Sequence, residues 1–253
     1  MLARELLYTL APVELARAMN VEPDVWQANV LNDLATGRLN RTLLVAPRQS
    51  GKSTLTGLCA IWFSLVKAPA NIVLVAPSAA QSGLMLSTIG RLMSKLPGGP
   101  SFDLESEKRI QLSNGSVIRA LHGDERTLRG HASVHFLALD EAGSIRDTLI
   151  SGVSPMLVNV GGTWFAIGTP RGQVGWFNDV WHASDNAWTR IRIDVSQCPR
   201  LTKEELDKQL ASLGPIAFRQ EFGLEWLADT EAAFDPVAIA NCFSNSEVKP
   251  LWV

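Results

Sequence analysis

Short apolar runs rich in β-branched residues alternate along this chain with longer stretches whose apolar residues recur at helical spacing. That alternation is the pattern of a parallel sheet covered by helices. Strands are expected at 42–46, 71–76, 116–121, 134–140 and 163–168, and helices at 52–66 and 79–96, the second stopped by Pro97, Gly98 and Gly99. The pair Asn114-Gly115, lying between 109–112 and 117–121, reads as a hairpin turn and predicts a two-stranded excursion from the sheet.

The pattern changes after about Ser184. One further strand is expected at 188–195, then a helix capped by Thr202 with Glu205 at its third position, then a second helix from about Pro215. This block is too short to bury a core of its own. The expected organisation is therefore a core at 1–184, a lid subdomain packed on it at 185–234, and a tail or linker at 235–253.

With 253 residues, 46% hydrophobic and 19% charged, the chain falls among soluble globular proteins and needs no staples to fold. Cys59, Cys198 and Cys242 lie far apart and show no metal-binding or disulfide spacing, which fits a reducing compartment. No apolar run approaches the roughly 18 to 20 residues of a membrane span, and Arg4 and Glu5 interrupt the place where a signal peptide would be apolar. A cytoplasmic protein is expected. The net charge of -2 excludes wholesale coating of nucleic acid but leaves room for a local contact.

Against that frame, Ala46-Pro47-Arg48-Gln49-Ser50-Gly51-Lys52-Ser53-Thr54 stands between a predicted strand and a predicted helix, the setting of a phosphate-binding P-loop. Backbone amides and the positive helix end would wrap the phosphates of ATP. Lys52 would reach the β and γ phosphates, and the Ser53 hydroxyl would ligate magnesium. The pattern departs from the usual one at its first letter, where Ala46 replaces glycine.

Downstream, the apolar run 134–139 ends in Asp140 and Glu141. Asp140 would hold Mg2+ through a water, and Glu141 would orient and deprotonate the water that attacks ATP. Upstream, Gln27 follows Asp24, Val25 and Trp26 one helix before the first strand, where a glutamine can bond both N6 and N7 of adenine. Trp26 is expected to be a core aromatic. His131 and His135 fall on a strand and its approach, where four-residue spacing supports no shared metal.

These residues resemble the ATPase domain of the large terminase subunit of tailed bacteriophages. Five features carry the resemblance in order: Trp26-Gln27; Pro47-Arg48-Gln49-Ser50-Gly51-Lys52-Ser53; Leu128-Arg129-Gly130 leading into Leu139-Asp140-Glu141-Ala142; Gly168-Thr169-Pro170-Arg171-Gly172; and Phe218-Arg219-Gln220-Glu221-Phe222. The resemblance implies an α/β P-loop NTPase of the additional-strand, catalytic-glutamate type. Its mainly parallel sheet would be flanked by helices and carry a small C-terminal lid. It also implies a motor that couples ATP hydrolysis to movement of double-stranded DNA into a procapsid in the cytoplasm of an infected bacterium. The implied partners are other copies of the chain in a ring, a portal protein and a small terminase subunit.

Residue by residue, Arg48 matches an arginine that touches the γ-phosphate within its own subunit, and Arg129 matches a finger offered to the neighbouring subunit. Thr169 matches the motif that couples hydrolysis to the lid. The spacing from Arg129 to Glu141 is one residue longer than in the nearest pattern, which makes Arg126 a competitor for the finger. The family continues into a nuclease domain of the ribonuclease H type, and the sequence is expected to be the isolated motor domain.

Two other classes compete. A two-domain helicase would need a second ATPase lobe, and the residues after Glu141 leave too little chain for one. A non-catalytic nucleotide-binding scaffold can dispense with the water-activating acid, yet Glu141 is present.

Overall fold

The computed structural model describes residues 2–106, 108–122 and 133–228. Three helices, α1 (Leu2–Leu10), α2 (Pro12–Ala18) and α3 (Val25–Ala35), precede the first strand. The N-terminus of α3 is set by a reciprocal capping box between Asp24 and Gln27.

Eight strands follow in chain order: β1 (Arg41–Val45), β2 (Asn71–Ala76), β3 (Phe102–Ser106), β4 (Arg109–Leu112), β5 (Val117–His122), β6 (Phe136–Asp140), β7 (Thr163–Gly168) and β8 (Thr189–Arg192). They form one sheet in the order β3-β4-β5-β2-β6-β7-β1-β8. From β5 to β8 every pairing is parallel, while β3 and β4 extend the edge antiparallel. One strand, β7, separates β1 from β6, as the additional-strand architecture requires.

The core has two layers because side chains alternate across each strand. Leu44, Ile72, Leu74, Phe136, Ala138, Phe165 and Ile167 face the layer that contains α4 (Lys52–Val66) and α5 (Ala79–Met93). Their neighbours Leu43, Val45, Val73, Val75, Leu137, Leu139 and Ala166 face α6 (Asp147–Val158) and α7 (Trp176–His182). Since both faces are covered, these strands read in sequence as continuous apolar runs.

Two expectations change. The Asn114-Gly115 turn, with Gly115 at φ +86°, joins β4 to β5 inside the sheet, so the expected excursion is an extension of its edge. Ile118 and Ala120 explain this, because they bury β5 against β2. The strand expected at 188–195, at the start of the lid segment, is β8, which pairs with β1 as the sheet's other edge. Beyond it, α8 (Lys203–Glu221) is broken at Gly214 (φ 75°, ψ 166°), and Pro215 opens its second half. Thr202 Oγ1 caps α8 by accepting the Glu205 N–H at 3.3 Å.

Candidate active site

The chain leaves β1 at Val45 and enters α4 at Lys52 through a loop that folds back on itself. Two left-handed residues make the turn, Gln49 (φ 62°) and Gly51 (φ 95°). Pro47 and Ser50 are buried, whereas Arg48 and Gln49 stand exposed at the tip and Thr54 is half-buried on α4. The loop is tied at its start and at its tip: the Ala46 N–H donates to the Gly168 carbonyl at 3.1 Å, and the Arg48 N–H donates to the Glu221 carbonyl of α8 at 3.0 Å.

Lys52 is buried beneath the loop, its ammonium donating to the Ala46 carbonyl at 3.2 Å and the Pro47 carbonyl at 2.9 Å. Burial pushes this ammonium below its ordinary value. Glu141, Asp140 and Glu221 act against the shift, while Arg48 adds to it. A cation surrounded by carboxylates in a low-dielectric loop is poised to meet a phosphate.

Asp140 sits at the end of β6, with its side chain on the sheet face that α4 covers, because residues 136, 138 and 140 share that face. There the Ser53 hydroxyl donates to Asp140 Oδ2 at 2.8 Å, and the Glu141 N–H donates to Oδ1 at 3.1 Å. Burial pushes the Asp140 carboxyl above its ordinary value. The Ser53 bond and Lys52 oppose that rise, and Glu141 reinforces it.

Glu141 itself adopts a left-handed backbone (φ 49°, ψ 46°) and caps a single 3-10 turn, Ala142–Ser144. Such a conformation is uncommon for a glutamate. It ends the strand abruptly at Asp140 and starts the turn that follows.

The site thus brings together Arg48, Gln49, Ser50, Gly51, Lys52, Ser53 and Thr54 on one arm and Asp140 and Glu141 on the other. Thr169, buried at the end of β7, lies between them: a Cβ at Gly143 would come within 2.8 Å of its carbonyl. Both ends of the Gln27 side-chain amide make hydrogen bonds. Its Oε1 accepts the Asp24 N–H at 2.9 Å, and its Nε2 donates to the Gly51 carbonyl at 3.0 Å. Trp26 is buried, as expected of a core aromatic. Arg126, Arg129 and His131 lie outside the described residues. His135 serves the sheet, its Nδ1 accepting the Asn71 N–H at 3.1 Å.

The donor set fits magnesium and nucleotide. Ser53 and Asp140 offer hard oxygens in contact with each other, the type Mg2+ takes. The buried Ser50 Oγ, at the centre of the loop, has no hydrogen-bond partner. An orphaned hydroxyl in a phosphate cradle has an obvious use.

Comparison with known proteins decides the family. A profile of the terminase large subunit, T4likevirus-type, N-terminal, matches residues 43–239. The chain belongs to the terminase large subunit family. The large terminase subunit of Escherichia phage T5 is 22% identical over 222 residues, an alignment covering 85% of this chain and 50% of that protein. This terminase chain therefore spans about half the length of the curated relative it matches.

Two solved structures share its fold. The large terminase ATPase domain of Thermus phage P74-26 has a TM-score of 0.70 at 20% identity, covering 85% of this chain and 98% of that one. A large terminase from another thermophilic bacteriophage, solved in complex with ATP-γ-S, has a TM-score of 0.65 at 10% identity, covering 81% of this chain and 53% of that one.

Three residues of this terminase site escape sequence reasoning. Arg200 donates to the Ser50 carbonyl, Asp24 pairs with Arg200, and the Glu221 carbonyl takes the Arg48 N–H. Asp24 and Arg200 stand 176 positions apart, and no local pattern announces a contact that only folding creates. Among the described residues no helix is long and apolar enough to cross a membrane.

Proposed function

We propose that this chain is the ATP-hydrolysing motor part of a viral DNA-packaging terminase, coupling hydrolysis to translocation of double-stranded DNA into a procapsid. The observation that carries the reading is the 2.8 Å contact of Ser53 with Asp140, which joins the first turn of α4 to the acidic end of β6 across the width of β7. Family membership and the ATP-γ-S complex of the thermophilic-phage terminase support the choice of nucleotide.

Magnesium, when bound, would neutralise charge on the β and γ phosphates. Ser53 would hold it directly and Asp140 through a water. Lys52 would leave the Ala46 and Pro47 carbonyls for the phosphates, and Arg48, exposed at the loop tip, would reach the γ-phosphate. Glu141 would orient the attacking water and take its proton. Gln27 would serve the base side of the site, with its grip on Gly51 linking base and phosphate pockets.

In this reading residues 1–184 are the core, 185–234 the lid, entered through β8, and 235–253 a tail or linker. Thr169 relays the state of the site from the end of β7. Arg129, or Arg126 in its place, acts on a neighbouring copy in a ring. A portal protein and a small terminase subunit would be its partners, in the cytoplasm of the infected host.

The test is magnesium-dependent release of phosphate from ATP by wild type, Lys52→Ala and Glu141→Gln. Lys52→Ala should lose nucleotide affinity, while Glu141→Gln should bind ATP and not turn it over. Equal affinity loss in both variants would overturn these roles.

A further inference from the structure

The P-loop turn is braced from outside by two side chains from opposite ends of the sequence. Gln27 Nε2 donates to the Gly51 carbonyl at 3.0 Å, and Arg200 Nη2 donates to the adjacent Ser50 carbonyl at 2.9 Å. Asp24 joins the two braces. Its Oδ2 accepts from the same Arg200 nitrogen at 2.5 Å, and its N–H donates to Gln27 Oε1 at 2.9 Å. Asp24, Gln27, Gly51, Ser50 and Arg200 form a closed ring around one turn of backbone.

The ring fits tightly. A Cβ on Gly51 would lie 2.5 Å from Arg200 Nη2 and 2.7 Å from Gln27 Nε2, so both braces press on the one residue without a side chain. Arg200 lies on the segment from β8 to α8, with the buried residues Cys198 and Leu201 near it in sequence to anchor the backbone that carries it. The far end of α8 returns to the same loop through the Glu221 carbonyl.

Planarity of the peptide gives the ring its consequence. In a trans peptide the carbonyl of one residue and the N–H of the next point in opposite directions. Fixing the Ser50 carbonyl outward therefore aims the Gly51 N–H inward, and fixing the Gly51 carbonyl does the same for the Lys52 N–H. These are amides that a P-loop presents to phosphate. Both bonds leave the same Arg200 nitrogen, whose two N–H groups serve a carbonyl and a carboxylate together, and the planar guanidinium holds those two directions fixed where an ammonium on a flexible stem does not.

We propose that Arg200 is a positioning residue for the nucleotide phosphates: from the base of the lid it orients the P-loop amides through Ser50 and Asp24. The inference rests on the ATP-binding reading above. It adds a residue that couples the seat of α8 to occupancy of the loop, and it predicts that Asp24 and Arg200 act as one unit.

The test compares the 253-residue chain as wild type, R200K, R200A, D24N and the R200A/D24N double variant. Two quantities are measured: magnesium-ADP affinity by titration calorimetry, and the melting temperature without nucleotide. R200A should weaken magnesium-ADP binding about tenfold, in line with loss of a charge-assisted hydrogen bond. R200K should recover part of that loss. D24N should weaken binding less, and the double variant should be no weaker than R200A, because both substitutions break the same ring.

The melting temperature should change little, since the Arg200 side chain is 51% exposed and the pair adds little to stability. Unchanged affinity in R200A overturns the proposal. So does an affinity loss in R200A to which D24N contributes nothing even when Arg200 is present, because Arg200 would then act outside the ring. If R200A does not fold, R200K and D24N carry the comparison, and parity of both with wild type is decisive against it. Failure of the wild type to bind magnesium-ADP would instead sink the ATP reading itself.

Discussion

The Ser53 hydroxyl and Asp140 Oδ2 lie 2.8 Å apart although 87 positions separate them in the chain. The bond brings the first turn of α4 onto the last residue of β6, the two residues proposed to hold magnesium. Ser53→Ala and Asp140→Asn should each raise the magnesium concentration needed for half-maximal ATP hydrolysis by about 10- to 100-fold, the usual cost of disturbing a metal's supporting contacts. Because the two residues touch, their effects should fall short of additive. A magnesium titration that is unaltered in both variants would remove them from the metal site.

Asp140 also gives the metal-free chain a pH signature. Burial raises its carboxyl above the ordinary 3.8, so the folded state keeps a proton that the unfolded chain has already lost. The contribution is fully present below 3.8 and is lost as pH rises through the folded value. At neutral pH the buried carboxylate is therefore a burden, and Asp140→Asn should melt higher than wild type in magnesium-free buffer. The gap should close on acidification. A variant that melts lower at neutral pH would contradict this account.

Gly168→Ala tests the junction of the two arms. A Cβ there would lie 2.9 Å from the Ala142 nitrogen and 3.3 Å from that of Gly143, so the turn carrying Glu141 must shift. A displacement near 1 Å at a catalytic group costs on the order of 100-fold in rate. The expected result is a fall in kcat of that size with KM for ATP little altered. A matched change in KM would place the damage in nucleotide binding instead.

Arg129 is tested by mixing subunits. An arginine finger contributes about 10³ to 10⁵ in turnover, and one that acts on a neighbour can be supplied by a partner that is itself inactive. Glu141→Gln chains that keep Arg129 should restore ATP hydrolysis to Arg129→Ala chains that keep Glu141. A mixture that stays inactive while both chains bind nucleotide and assemble would exclude Arg129 and turn attention to Arg126.

Much of this molecule is legible along the chain. Helix Lys52–Val66 and strands Asn71–Ala76 and Thr163–Gly168 have the bounds that the pattern predicts, because strands covered on both faces are unbroken apolar runs with abrupt ends. Strand Phe102–Ser106 was not legible: it lies at the outer edge of the sheet, where its antiparallel pairing with Arg109–Leu112 defines it. Within the site, Lys52, Ser53 and Asp140 announce themselves by local motif. Arg200 and Glu221 do not, since each enters through a contact with P-loop backbone that any residue type at positions 48 and 50 would offer. Gln27 was legible as a site residue, but its grip on the Gly51 carbonyl depends on tertiary approach.

The position of β7 fixes how the two arms can move. β1 and β6 share no hydrogen bonds, and each is laddered to β7, Val45 opposite Gly168 and Asp140 opposite Ile167. Strands in a ladder change register by whole residues, about 3.3 Å at a time, with every bond broken in between. β7 is thus a ruler that keeps the spacing between Val45 and Asp140, the ends of the two arms, constant. Motion of the site is left to what hangs from the ruler's end: the turn Ala142–Ser144, the chain beyond Thr169, and α8 where Glu221 grips the loop.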